Sequence, residues 1–92
     1  MIVRILGEGQ FEVDEQLRGR LEALDAEVEA RFQANDEEGF EKALQTLQDE
    51  IRSAGRPLDP TTIMPSDLAV PAHGSTLEEV RTLFDSENPV TS

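Results

Sequence analysis

The sequence predicts an α+β domain, and a change in the spacing of apolar residues is the main observation behind that prediction. Residues 1–13 alternate as β-strands do, whereas apolar residues between 17 and 51 recur every three or four positions, as on one side of a helix. The chain has 92 residues, and either half alone would be too small to bury a core. We therefore expect one domain over residues 1–85 and a flexible tail over residues 86–92.

The N-terminal segment is predicted to form a β-hairpin. Apolar, β-forming residues stand on both sides of Gly7-Glu8-Gly9, which provides the turn. If Glu8 and Gly9 form a two-residue turn, Leu6 lies opposite Phe11. One face of the hairpin would then meet the helices through Ile2, Leu6, Phe11 and Val13.

Two helices are expected next, separated by a tight break. The first begins after Asp14 and ends at Asn35, a residue that tolerates the left-handed conformation. Asp36 should cap the second helix, which should end at Gly55. Because the break is short, the helices must run antiparallel. Their apolar stripes are Leu17, Leu21, Leu24, Val28 and Phe32 in the first helix and Phe40, Leu44, Leu47 and Ile51 in the second.

These stripes also fit the seam of a coiled-coil dimer, but each covers fewer heptads than such seams usually have, so packing within the chain is favoured. Phe32 and Phe40 should then meet near the tip of the helical hairpin. Polar pairs one turn apart, such as Gln48 with Arg52, are expected on the solvent side.

Residues 56–74 contain four of the five prolines and form a long loop. Loops of this length in a small domain are typically functional or disordered, and the apolar residues within this one favour order. Leu68–Val70 fits a third strand beside the hairpin. Ser75 or Thr76 should then cap a short last helix that carries Leu77, Val80, Leu83 and Phe84.

The turn Pro65-Ser66-Asp67-Leu68 is the first candidate for a partner-binding site. Pro, Ser and Asp favour turns, and the apolar residues beside them anchor the turn. It serves either as a cover over the open edge of the core or as a docking loop, since loops on rigid scaffolds often carry binding function. Both interpretations remain open, with the cover favoured.

The acidic charge predicts which partners the chain avoids and which it attracts. Twenty acidic residues oppose eight basic ones, for a net charge of −12. This charge repels nucleic acid and anionic lipid, so we expect no nucleic-acid binding and no direct membrane insertion. Glu22 and Glu29 lie seven residues apart, on one side of the first helix, and are the second candidate surface, for a basic partner.

Nothing in the sequence predicts an enzyme, a metal site or a cofactor. The chain has no Cys and one His, which excludes thiolate chemistry and a His-based metal site. His73 is interpreted as an exposed loop residue. The Gly7-Glu8-Gly9 pattern lacks the third glycine of a dinucleotide-binding loop, since Glu12 stands at that position.

Several motifs, in order along the chain, resemble those of the PspAA family, the small domain associated with phage shock protein A. They are the opening residues 1–13, the segment Leu21–Asp25, the pair Asn35-Asp36, the turn Pro65–Leu68 and the segment Thr76–Val80. The resemblance implies a non-enzymatic partner of phage shock protein A, which is an ESCRT-III-like protein that coats and repairs stressed membranes; the absence of Cys already indicates a cytoplasmic protein. The resemblance also implies recruitment to the inner face of the membrane through that partner, and it assigns no role to Pro65–Leu68.

A second function is compatible with the charge alone. An acidic neutralising protein, such as an antitoxin or a nucleic-acid mimic, would also bind a basic partner. A mimic would space its carboxylates in phosphate-like rows, whereas here they are dispersed among Arg residues and helix caps. The sequence therefore favours the partner of phage shock protein A.

Overall fold

The computed structural model describes residues 1–62 and 64–87, and it confirms the α+β class. Two strands are followed along the chain by two long helices, two further short strands and a last helix, and a 3-10 turn over Glu15–Leu17 precedes the first helix. The elements are β1 (Ile2–Ile5), β2 (Gly9–Glu12), α1 (Arg18–Gln33), α2 (Glu37–Ala54), β3 (Arg56–Pro57), β4 (Leu68–Val70) and α3 (Leu77–Glu87).

The four strands form one sheet in the order β3-β2-β1-β4. β2 runs antiparallel to β1, and β4 lies parallel to β1 on its other side, which confirms the predicted strand at 68–70. β3 was not predicted, because its two residues include a proline and lie in the Pro-rich segment. One face of the sheet and the two long helices enclose the core.

The predicted register of the hairpin is wrong. Val3 pairs with Phe11 and Ile5 with Gly9, so the loop has three residues and Leu6 lies in it, 43% exposed. The Glu8 N–H donates to the Ile5 carbonyl (2.9 Å) and closes a β-turn. Gly7 is its third residue, with the positive φ of 84° that a type II turn needs there. The residues facing the core are therefore Val3, Ile5, Phe11 and Val13.

The helical hairpin forms largely as predicted. Asn35 has a φ of 58°, and the Asp36 carboxylate accepts from the Gly39 N–H (3.0 Å) at the start of α2. The rings of Phe32 and Phe40 lie 5.9 Å apart near the tip. α1 begins later than predicted, because Asp14 caps the 3-10 turn instead. Both stripes face the core of the same chain: Leu21, Val28, Phe40, Leu44, Leu47 and Ile51 are buried, with Leu17, Leu24 and Phe32 packed beside them.

Gly55, at the end of α2, is required because a side chain does not fit there, and not because the backbone is left-handed. Gly55 follows α2 in an extended conformation with a φ of −90°. A Cβ at this position would lie 2.5 Å from the Ile51 carbonyl oxygen and 3.2 Å from side-chain atoms of Phe11 and Val13. Any residue with a side chain would therefore be too close to α2 and to Phe11 and Val13 at this position.

The C-terminal segment forms α3, with Leu77 and Val80 buried against the core. The Glu79 N–H donates to the Thr76 hydroxyl (3.2 Å), so Thr76 provides the cap. The predicted inward side chains of Leu83 and Phe84 lie outside what the structure describes. α3 includes residues 86 and 87, which were predicted as tail, and residues 88–92 lie outside the described part of the chain.

Candidate functional site

The predicted turn Pro65–Leu68 runs into the beginning of β4, and Asp67 ties it to β1. The Asp67 N–H donates to the Ile2 carbonyl (2.7 Å), and the Ile2 N–H donates to the Asp67 carboxylate (2.8 Å). Asp67 thus continues the pairing of β4 with β1 by one further residue. Pro65, Ser66 and Asp67 are exposed, while Leu68 is half-buried.

Gln10 holds the preceding part of the loop, and sequence reasoning missed it. Its side-chain amide donates to the Met64 carbonyl (2.5 Å) and to the Ser66 hydroxyl (2.9 Å), and its oxygen accepts from the Met64 N–H (3.3 Å). Gln10 is 7% exposed although it is polar. The signal in the sequence was a long amide side chain inside a strand, which needs partners when it is buried. These contacts support the interpretation of the loop as a cover over the sheet.

Replacing Asp67 by alanine should loosen β4 without unfolding the domain. The Ile2 N–H would lose its carboxylate acceptor, at a cost of about 1 kcal/mol. We expect faster amide hydrogen exchange at Leu68 and Val70, measured by NMR, with Ile5 much less affected. Asp49→Ala is the control, since Asp49 is exposed and forms an ion pair with Arg52 at the surface of α2. Equal exchange at Leu68 and Val70 in the two variants would show that Asp67 does not hold the strand.

Gln48 is a second residue that sequence analysis placed wrongly. It was expected on the solvent side of α2, but it is 1% exposed, and its amide donates to the Pro71 carbonyl (2.8 Å). Its position one turn after Leu44, within the apolar stripe, was the available signal. Gln48 fixes the chain just after β4 against α2.

Arg52 of α2 contacts the loop between β1 and β2. Arg52 donates to both carboxylate oxygens of Glu8, at 2.9 and 2.5 Å. These hydrogen bonds, together with the positive charge of Arg52, lower the pKa of Glu8. His73 is exposed, as predicted. The cluster fastens the β1–β2 loop to α2.

The second predicted surface, on α1, carries more carboxylates than expected. Glu22 and Glu29 are both exposed, and Asp25 lies between them on the same side of the helix. Burial raises the pKa of Asp25, and the nearby charge of Glu29 raises it further. Among the residues that the structure describes, neither Asp25 nor Glu29 forms an ion pair. This side of α1 is therefore an acidic surface that has not been neutralised.

The two predicted surfaces lie on elements that run side by side. The charge of Asp67 contributes to the raised pKa of Arg18 at the start of α1, after the larger effect of Glu15. Ala69 of β4 and Asp25 and Glu29 of α1 line one groove. Pro65–Leu68 thus leads into a strand that borders the acidic side of α1.

Within residues 1–62 and 64–87, the structure contains no group of three His, Cys, Asp or Glu side chains placed to hold a metal ion. None of the helices in this part of the chain has the length and apolar character required to span a bilayer.

A known protein family matches nearly the whole chain. A family model, PspAA, described as PspA-Associated protein, matches residues 1–91. No curated protein and no solved structure matches the chain significantly. The match covers all the elements described above and agrees with the resemblance seen in the sequence motifs.

Proposed function

The chain belongs to the family of PspA-associated proteins, and from that premise we propose that it binds phage shock protein A and modulates it in the envelope stress response. The observation that carries the proposal is the family match over residues 1–91, which includes every element of the fold. Under this proposal, the association named in the family's description is a direct contact between this chain and phage shock protein A.

We propose that the chain acts by contact and not by catalysis. The conspicuous polar side chains are engaged in holding the fold: Gln10 and Asp67 hold the loop, and Gln48 holds the segment after β4. The acidic side of α1 supports a binding role, since it offers charge to a partner without serving the fold in the same way. A basic region of phage shock protein A would complement it.

A binding measurement with the two purified proteins tests the proposal. The full chain, immobilised through its C-terminal residues, is exposed to phage shock protein A from the same genome in a surface-plasmon experiment. We expect saturable binding, and an unrelated acidic protein of similar charge on the reference surface controls for nonspecific attraction. Binding no greater than on that reference surface would refute the proposed function.

Association should also depend on salt and on the charge of α1. Raising the ionic strength to 1 M shortens the Debye length to about 3 Å, so electrostatic steering is lost and the on-rate falls. The double variant Glu22→Lys with Glu29→Lys should slow association, on the order of tenfold, at low salt. Both residues are exposed on α1, so the fold should persist.

The matched control is Glu41→Lys with Asp49→Lys, which changes the net charge equally on the exposed side of α2. If both double variants slow association to the same extent, only the total charge matters. The assignment of binding to this side of α1 would then be wrong, while binding itself would stand.

A further inference from the structure

An open groove with an apolar floor lies between α1, β4 and α3. Its volume is about 430 Å³, within the range of about 300–1,000 Å³ that is common for binding pockets. We call it the α1–α3 groove, and its apolar lining consists of Val28, Phe32, Phe40, Ala69, Pro71 and Val80. β4 is the edge strand on this side, so in the described part of the chain no further strand covers it.

The rim of the α1–α3 groove carries two like charges. Asp25 and Glu29 lie one turn apart on α1 and both line the groove. Like charges at this spacing destabilise a helix by a few tenths of a kcal/mol. On the opposite side of α1, the same kind of carboxylate is neutralised, because Glu27 pairs with Arg31 at 2.9 Å. The excess negative charge is thus on the side of α1 that borders the groove.

A cation lies beside the groove, next to its lining residue Phe32. The Arg81 guanidinium lies 5.0 Å from the centre of the Phe32 ring and donates to the Asn35 side chain (3.0 Å). Positive charge in a ligand is therefore favoured beside Asp25 and Glu29 and disfavoured beside Arg81. The negative rim at Asp25 and Glu29 and the positive charge beside Phe32 give a ligand a preferred direction.

We propose that the α1–α3 groove binds an amphipathic helix of phage shock protein A that inserts apolar side chains between α1 and α3 and places Lys or Arg residues one turn apart against Asp25 and Glu29. The apolar floor accounts for the inserted side chains, as in other helix-in-groove complexes. The rim accounts for the basic residues, because two carboxylates spaced i, i+4 match two cations spaced i, i+4 on an aligned helix. The inference rests on the proposed function for the identity of the partner.

A model ligand tests the groove separately from the natural partner. The ¹⁵N-labelled full chain is titrated with a synthetic helical peptide that has leucines on one side, bordered by lysines, and with the same peptide carrying glutamates in place of the lysines. We expect the lysine peptide to shift the amide signals of Val28, Ala69 and Val80, and the glutamate peptide to leave them unchanged. Shifts that avoid these residues, or equal shifts with both peptides, would overturn the inference.

Two variants of the chain then test whether phage shock protein A itself binds in the groove. Glu29→Arg replaces an exposed carboxylate on the groove rim by a bulky cation, and it should weaken binding at least tenfold. Glu41→Arg makes the same change on an exposed part of α2 outside the groove lining, and it should change the affinity less than twofold. Circular dichroism melting curves verify that both variants fold.

The outcomes separate the two proposals. If phage shock protein A binds the wild-type chain and both arginine variants equally well, the groove is not the docking site and the inference fails, while the proposed function stands. If the lysine peptide occupies the groove but phage shock protein A does not bind, the proposed function fails and the groove is confirmed as a site for a basic helix.

The double variant Asp25→Asn with Glu29→Gln tests the rim. It should weaken binding of the lysine peptide about tenfold without lowering the melting temperature, and an unchanged affinity would overturn the role of the rim.

Discussion

Truncating Leu44 to alanine should lower the free energy of unfolding by about 2–5 kcal/mol, the usual cost of removing a buried leucine side chain. Leu44 is 2% exposed in the middle of α2 and belongs to the core shared by the helices and the sheet. A small domain has only about 5–15 kcal/mol of stability, so this single change removes a large part of it. Denaturation with urea, followed by circular dichroism, measures the loss.

Leu24 gives the internal comparison for that experiment. Sequence analysis placed both leucines in equivalent stripes, but Leu24 is only half-buried and lines an open cleft between α1 and α2. Leu24→Ala should therefore cost clearly less than Leu44→Ala. A loss below about 1 kcal/mol at Leu44 would mean that the α2 stripe does not face a core, and would favour the coiled-coil alternative.

Replacing Gly55 by alanine should destabilise the domain by about 1–3 kcal/mol, the usual range for an overpacked site. The new Cβ would lie 2.5 Å from the Ile51 carbonyl oxygen, which belongs to the backbone of α2 and cannot rotate away as a side chain does. The midpoint of urea denaturation should fall, with little change in its slope.

Gly19→Ala is a matched control with the opposite expected sign. Gly19 lies in α1, and a Cβ there would meet no atom within 4 Å. Because alanine is a better helix former than glycine, the variant should gain up to about 1 kcal/mol. If Gly55→Ala stabilised the domain as Gly19→Ala does, the close approach at the end of α2 would be refuted.

The sequence was sufficient where local chemistry decides the structure. Asn35 and Asp36 predicted the break between the helices, because one tolerates a positive φ and the other caps a helix, and both roles are confirmed. The hairpin register failed for a local reason as well. Ile5 and Leu6 are adjacent and both apolar, so the pattern alone did not show which of them faces the core, and the turn at Gly7 decided it.

Other features depend on contacts between residues far apart in the sequence. Gln48 is buried because Pro71 lies against α2, and Gln10 because the loop at Met64 crosses the sheet. No local pattern shows these neighbours. Similarly, Glu22 and Glu29 were placed on one side of α1 from their spacing, but the α1–α3 groove beside them exists only when β4 and α3 dock.

The pairing of β4 with β1 has a consequence for how the domain folds. Val3 pairs with Leu68, so two neighbouring strands of the sheet are separated by most of the chain. Such a high contact order makes closure of the sheet slow compared with formation of the β1–β2 hairpin or of the α1–α2 pair. During synthesis at about 5–20 residues per second, β1 has to wait several seconds for β4 to leave the ribosome. Until then the edge of β1 is unpaired, and nascent chains are exposed to strand-to-strand aggregation.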